Sequence, residues 1–345
     1  MPKKLTIGIL FGGQSTEHEV SIRSARNIVK ALDSQKYTPI LIGITKQGAW
    51  LNQKDSQKLI DGKNISSIGS PFPNLGKTPL DVVFPVLHGS FGEDGSMQGF
   101  LRLCHIPFVG PSVLGSSVGM DKDITKRLLR DSGIDVAKSI TVTVSDTKPA
   151  SFATVKKTLG LPVFVKPANA GSSVGVSKVT SSTEFTKALE TAFSFDTKVL
   201  IEECIIGREL EVSVLGNEHP EASIVGEILP GSDFYSYSEK YSESSHTKTA
   251  IPALIPASVQ KNIQAIAKRA YGVLCLEGMS RVDFFLTKKG RIVVNEVNTI
   301  PGFTSISMYP QLWEASGLSY SALLDKLILL AIGRFEREMS LTSTL

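Results

Sequence analysis

The sequence predicts an α/β protein: a parallel, Rossmann-like N-terminal layer, then a mixed α+β region. Three observations carry that expectation. β-branched runs alternate with helical apolar spacing over roughly the first hundred residues, the pattern of βαβ units. The middle of the chain is rich in short β runs broken by glycine. A long hairpin then precedes a closing amphipathic helix.

"LTIGILFGG" reads as a buried first strand ending in a glycine turn, and "SIRSARNIVKAL" as the helix after it. "YTPILIGIT" and "LDVVFPVLHG" are further strands. Ligands of such sheets sit beyond the carboxyl ends of strands. The polar segments "GGQSTEHEVS" and "HGSFGEDGS" fall at two such ends. "GPSVLGSSVGM" reads as a linker. "DKDITKRLLRDSG" follows as a helix with Asp121 as its N-cap and Gly133 as its stop. "ITVTV", "LPVFVKPA", "SVGVSKV" and "KVLIEECI" read as antiparallel strands of a lid-sized unit, and "ELEVSVLG" begins a region of longer strands. The polar stretch 231–248, the helix "SVQKNIQAIAKRAYGVL", the hairpin "RVDFFLTKKGRIVVNEV" and the helix "YSALLDKLILLAIGRF" complete the chain.

The bulk properties narrow the function classes. A chain of 345 residues has room for two or three domains with real cores. Its net charge of +4 is too mild to demand nucleic acid or an anionic membrane. Cys104, Cys204 and Cys275 are scattered and form no C-x-x-C, so neither a zinc ribbon nor a disulfide framework is expected, and a reducing cytoplasm is. The apolar run of the N-terminus, "LTIGIL", is too short for a signal peptide, and no stretch is long enough to span a bilayer.

The hairpin carries the first chemistry. If its loop holds an even number of residues, Arg281 faces Glu296 and Asp283 faces Val294. Alternation then puts Arg281, Asp283, Glu296 and Asn298 on one face. The other face holds Val282, Phe284, Leu286, Val293 and Val297, with Asn295 the exception. Two carboxylates and an amide oxygen are hard ligands that suit Mg²⁺ shared with phosphates. The alternative is a solvated face with a cross-strand Arg–Glu pair, of which surfaces have many. "KPANAGSSVGV" offers a lysine and a Gly/Ser run whose N–H groups and hydroxyls can cradle phosphate, or simply a hairpin turn. It is not a Walker A loop, which needs G-x-x-x-x-G-K-[ST].

Eight segments in order, "FGGQSTEHEVS", "LHGSFGEDGSMQG", "MDKDITK", "FVKPANAGSSVGV", "IEECIIGRELEVSVLG", "EKYS", "SRVDFF" and "NEVNTIPGFTSISMYP", resemble the D-alanine–D-alanine ligases of the ATP-grasp superfamily over nearly the whole chain. The resemblance implies an ATP-grasp fold with units at 1–111, 112–206 and 207–345. It implies that ATP phosphorylates one D-alanine and that the amine of a second attacks the acylphosphate. Asp283, Glu296 and Asn298 match ligands of two Mg²⁺ (or Mn²⁺). Lys122 and Lys166 match lysines on the ATP phosphates, Ser172, Ser173 and Val174 the loop over them, and Lys240 a γ-phosphate contact. Glu202, Glu203, Cys204 and Ile205 match the adenine hinge, and Glu209 the ribose contact. Arg281 and the Gly302 N–H match the oxyanion stabilisers. Glu17 matches the grip on the first ammonium, with Ser172 and Tyr241 beside it, and Ser307 and Met308 the site of the second carboxylate. His88 is assigned to the same cleft, with a turn-stabilising histidine as the alternative. Glu17 has its own alternative, as a helix cap.

One departure is Ala170, where part of the family has glutamate, which leaves the hydrogen bonds near Ser172 open. The rival readings are another ATP-grasp carboxylate–amine ligase, a D-alanine–D-lactate ligase, a dehydrogenase-like module and a non-catalytic ATP binder. The dehydrogenase reading lacks G-x-G-x-x-G. D-alanine and ATP are the expected partners, with a homodimer formed through the N-terminal unit and neither nucleic acid nor membrane involved.

Overall fold

The strand β1 (Leu5–Gly12) is paired on both sides in parallel, with β2 (Tyr37–Ile44) and β3 (Val82–Val86), in the order β2-β1-β3. The computed structural model describes residues 3–65, 67–73, 75, 79–147, 150–229 and 248–341. Parallel pairing follows from the crossover helix α1 (His18–Ala31), which buries Val20, Ile22, Ala25 and Ile28 against the sheet. Helix α2 (Gln53–Ile60), capped by Asn52, follows β2, and α3 (Ser96–Leu103) packs Leu101 and Met97 against Leu10, Val83 and Trp50 on the opposite face.

The glycine- and serine-rich segment expected as a linker is instead a helix, α4 (Val113–Met120), capped by Ser112. Its small residues are a close-packing face. A Cβ at Gly115 would lie 2.5 Å from the Cys275 carbonyl oxygen, and one at Gly119 would lie 2.4 Å from Thr299 Cγ2. Helix α5 (Lys122–Asp131) starts as expected, with the Asp121 carboxylate accepting from Asp123 N and Ile124 N at 3.0 and 3.1 Å.

A second, antiparallel sheet comprises β4 (Ser139–Thr143), β5 (Val163–Pro167), β6 (Ser177–Val179) and β7 (Lys198–Glu203), in the order β4-β7-β5-β6. Two helices missed by the strand-dominated expectation, α6 (Phe152–Leu159) and α7 (Ser182–Phe193), cover its apolar face through Val155, Phe185 and Ala188.

The third sheet is built on β8 (Gly207–Gly216), with β9 (Glu221–Ala222), β10 (Gly226–Leu229), β11 (Lys248–Ala250), β12 (Gly278–Thr287) and β13 (Ile292–Asn298). Its order is β11-β10-β8-β12-β13, with β9 on β8. Helix α8 (Ala257–Val273) packs Ile263, Ala267 and Tyr271 on one face of the sheet. The hairpin register differs from the expected one. Arg281 pairs with Asn298 and Asp283 with Glu296, and Phe284 then pairs with Val294. Asn295 is the extra residue of a β-bulge, which is why it broke the alternation. The bulge also puts Val294, rather than Val293, on the face of Val282, Phe284 and Val297, and both valines are buried. The four polar residues still share the opposite face.

Helices α9 (Met308–Ala315) and α10 (Tyr320–Met339) bring the C-terminal region back to the first sheet. Among the described residues no single helix is long and apolar enough to cross a membrane. Arg334 on α10 is buried and donates to the carbonyls of Gly110 and Phe108 at 2.6 and 2.8 Å. Arg334→Met keeps the apolar stem and strips both carbonyls of a charged donor. It should cost about 2–4 kcal/mol of unfolding free energy in urea titration; a loss under about 1 kcal/mol would refute this account of the α10 anchor.

Candidate active site

The polar face of the β12–β13 hairpin lines a cleft of about 210 Å³. Arg281 sits at its centre. Its Nε and Nη2 each donate to the Asp283 carboxylate at 2.7 Å, and Nε lies 3.0 Å from Glu211 Oε2 on β8. Asn298 Nδ2 donates to Asp283 Oδ2 at 3.0 Å. Burial works against the guanidinium, but Asp283, Glu211 and Glu296 outweigh it and hold Arg281 well above the usual arginine range. The oxygen donors of Asp283, Glu296 and Asn298 on this face fit a hard cation such as Mg²⁺. Among the described residues no three Asp, Glu, His or Cys side chains converge tightly enough to cage a metal alone. A Mg²⁺ bound jointly with phosphate needs only one or two protein carboxylates, so the donor set and the open geometry agree.

Glu17 stands across the cleft. It occupies the N-cap position of α1, yet its side chain makes no cap hydrogen bond. The Ser172 hydroxyl donates to Glu17 Oε1 instead, joining the first sheet to the loop after β5. The helix-cap alternative is therefore set aside. The loop is shaped for this contact. Ser172 and Ser173 have φ of 50° and 61°, a strained region for serine. A Cβ at Gly171 would come 2.8 Å from Glu17 Oε2, so only glycine admits the carboxylate there.

The segment after β13 is pinned from the first sheet. His88 Nδ1 donates to the Ile300 carbonyl at 3.0 Å, and Glu93 Oε1 accepts from Ile300 N at 3.0 Å. Ser24 Oγ accepts from Phe303 N at 3.1 Å. Gly302, between these anchors, would bring a Cβ to 2.8 Å from Ser307 Oγ. Ser307 Oγ in turn accepts from Thr304 N at 3.0 Å. Burial lowers the His88 pKa and favours its neutral form. His88 thus lines the cleft and braces the segment after β13 at once.

Glu17, His88, Ser172, Glu209, Arg281, Asp283, Glu296, Asn298, Gly302, Ser307 and Met308 all line this cleft. Lys122 lines a smaller cavity that shares Ser172, Glu296 and Asn298 with it, and its ammonium donates to Ala170 O at 2.6 Å. Lys166 lies on β5, with Glu202 and Glu203 on β7 and Cys204 and Ile205 just beyond. The Glu202 carboxylate is buried 2.7 Å from Lys166 Nζ, so its side chain faces the lysine. Ser173 and Val174 continue the Ser172 loop. Lys240 and Tyr241 lie outside the described residues.

Three residues of this region were not singled out from sequence. Glu211 follows Glu209 at the period-2 spacing that puts both on one face of β8, a signal that was available. Glu93 sits in the quoted "FGEDGS", but its burial has no sequence signature. Lys126 lies one helical turn after Lys122, on the same face.

Burial first, and then the nearby Glu17 charge, push the Glu93 carboxyl up to about 8. The folded state then holds a proton that the unfolded chain releases above the ordinary glutamate pKa of ~4.3. This contribution to stability is fully present below that value and is lost as pH rises through about 8. Glu93→Gln mimics the protonated form. Its denaturation midpoint should fall less than the wild type's between about pH 5 and pH 8.5; parallel profiles would contradict a protonated Glu93.

Comparison with known proteins agrees with this geometry. A family model described as "D-ala D-ala ligase N-terminus" matches residues 6–111, and one described as "D-ala D-ala ligase C-terminus" matches residues 128–329. The chain is 51% identical to the D-alanine–D-alanine ligase of Shouchella clausii over 361 aligned positions, covering 99% of this chain and 98% of that protein. Among solved structures it resembles the D-alanine–D-alanine ligase of Coxiella burnetii, with a TM-score of 0.85, 41% identity, and coverage of 97% of this chain and 96% of that one. It also resembles the VanG D-Ala:D-Ser ligase of Enterococcus faecalis, with a TM-score of 0.84, 40% identity, and coverage of 95% and 100%. On these grounds the chain belongs to the D-alanine–D-alanine ligase family, with the ATP-grasp architecture of its structural relatives.

Proposed function

We propose that this chain joins two D-alanines at the expense of ATP, making D-alanyl-D-alanine for peptidoglycan precursors. The observation that carries the reading is one cleft with the carboxylate of Glu17 on one wall and a guanidinium among carboxylates on the other. A carboxylate is a poor acyl donor. An oxygen of the first D-alanine attacks the γ-phosphorus of ATP, ADP leaves, and an acylphosphate remains. The free amine of the second D-alanine attacks the acyl carbon, and phosphate departs from the tetrahedral intermediate.

Most of the protein's work is positioning and charge neutralisation. Glu17 holds the first ammonium, and Ser172 fixes Glu17. Arg281 and the Gly302 N–H face the developing oxyanion, where prearranged donors act on charge that appears only in the transition state. Ser307 and Met308 receive the second carboxylate, beside His88. Lys122 and Lys166 take the phosphates under the loop 172–174. The adenine lies along 202–205 and the ribose by Glu209. Asp283, Glu296 and Asn298 would hold two Mg²⁺ (or Mn²⁺), which when bound supply charge neutralisation at the phosphates. Lys240 and Tyr241 are assigned to the γ-phosphate side and the Glu17–Ser172 chain on resemblance alone.

The units 1–111, 112–206 and 207–345 would form the walls of the cleft, with a homodimer through the first. ATP use and the free, exposed thiols of Cys104 and Cys275 fit the cytoplasm. A second reading, with D-serine as second substrate, is favoured by the likeness to the D-Ala:D-Ser ligase.

The test is ADP release dependent on D-alanine, with L-alanine as control and D-serine and D-lactate in competition. Dipeptide is the expected main product; a mixed product in excess would favour the second reading. Glu17→Gln should raise KM for the first D-alanine by roughly ten- to a hundredfold, the worth of a charge-assisted bond, with KM for ATP nearly unchanged. An effect confined to ATP would remove Glu17 from the ammonium site. Glu296→Gln should cut turnover by orders of magnitude while thermal unfolding is retained, and it should weaken Mn²⁺ binding measured by electron paramagnetic resonance. Near-normal activity and Mn²⁺ binding would dismiss the metal assignment.

A further inference from the structure

Lys126 is buried to 2% exposure on α5, one turn beyond Lys122, and none of the roles above uses it. Its ammonium lies 3.2 Å from Glu202 Oε1 on β7. It also donates to the Asn295 carbonyl at 3.2 Å, at the bulge that precedes Glu296. The other Glu202 oxygen, Oε2, takes Lys166 Nζ at 2.7 Å. One dry carboxylate therefore stands between two ammoniums. Burial would raise the Glu202 pKa, but Lys126 and Lys166 outweigh it and keep it below the usual range, so the carboxylate is ionised.

The charge count decides what Lys166 can do. Paired one to one, Glu202 would cancel Lys166 and leave nothing for an anion. With Lys126 on the opposite oxygen, the trio carries one net positive charge. Lys126 itself is sealed beneath the strands, so that charge is available only at Lys166.

We propose that Lys126 is a positioning residue that neutralises Glu202, so that Lys166 keeps a net positive charge for the phosphates of a nucleoside triphosphate. Through the Asn295 carbonyl it also ties the lid sheet to the hairpin that bears Glu296. The inference rests on the ATP reading above. It deepens that reading by naming what arms the phosphate-binding lysine.

The test is calorimetric titration of the full-length protein with ATP and Mg²⁺ in the absence of D-alanine, alongside steady-state kinetics. Lys126→Met should weaken ATP binding about tenfold or more, with KM for D-alanine within about twofold of wild type. Lys126→Arg, which keeps the charge, should stay within about threefold. The double variant K126M/E202Q removes the carboxylate that would otherwise cancel Lys166 one to one. It should bind ATP several-fold more tightly than K126M. Rescue by removing Glu202's charge is an outcome that a packing role for Lys126 does not produce. Wild-type ATP affinity in K126M, or a folded double variant that binds ATP no better than K126M, would overturn the inference. A wild-type protein that binds no ATP would sink the nucleotide reading itself, a separate result.

Discussion

The fork by which the Arg281 guanidinium holds its neighbouring carboxylates is the constraint on which the cleft depends. Arg281 is held in a fork by Asp283 and approached by Glu211 from the neighbouring strand. Three acidic side chains on one partly buried face would repel one another and carry a heavy desolvation penalty. The arginine relieves part of that. The antiparallel sheet makes the arrangement possible, because β8 and β13 flank β12 and each presents its polar residues on the same side. The opposite side of the same strands is the apolar core under α8.

The cleft is also a meeting of separate sheets, and polar groups do the joining. Ile300 has both its N–H and its carbonyl taken by the first sheet's loops, through Glu93 and His88. Phe303 N is held by Ser24 on α1, and Arg334 ties α10 back to Phe108 and Gly110. Such buried hydrogen bonds are costly to break one partner at a time, because the other is left unsatisfied. They hold the short segment around Gly302 to the side chains it must face, which loop backbone alone would not do. Glycine is needed there and at Gly171 because neighbouring oxygens approach where a Cβ would stand.

The lysines follow a different logic. Lys122 reaches the loop through Ala170 O, while Lys126 and Lys166 share Glu202. Positive and negative groups alternate from the lid sheet to the hairpin face.

Much of this was legible without coordinates. Period-2 spacing put Arg281, Asp283, Glu296 and Asn298 together, since alternation in a strand is a local property of the backbone. The parallel first sheet, the Asp121 cap and the eight ordered motifs are equally local, and the resemblance they carry named the family. Other features were decided by tertiary structure alone. The hairpin register required the bulge at Asn295, which depends on cross-strand packing of Val294. The helix at 113–120 looked like a linker because its glycines report contacts with residues far along the chain, Cys275 and Thr299. The burial of Glu93 and the trio of Lys126, Glu202 and Lys166 join groups far apart in the chain, as Glu93 with Ile300 and Lys126 with Glu202. Charge and pairing at such sites come from desolvation and from neighbours that only the folded chain supplies.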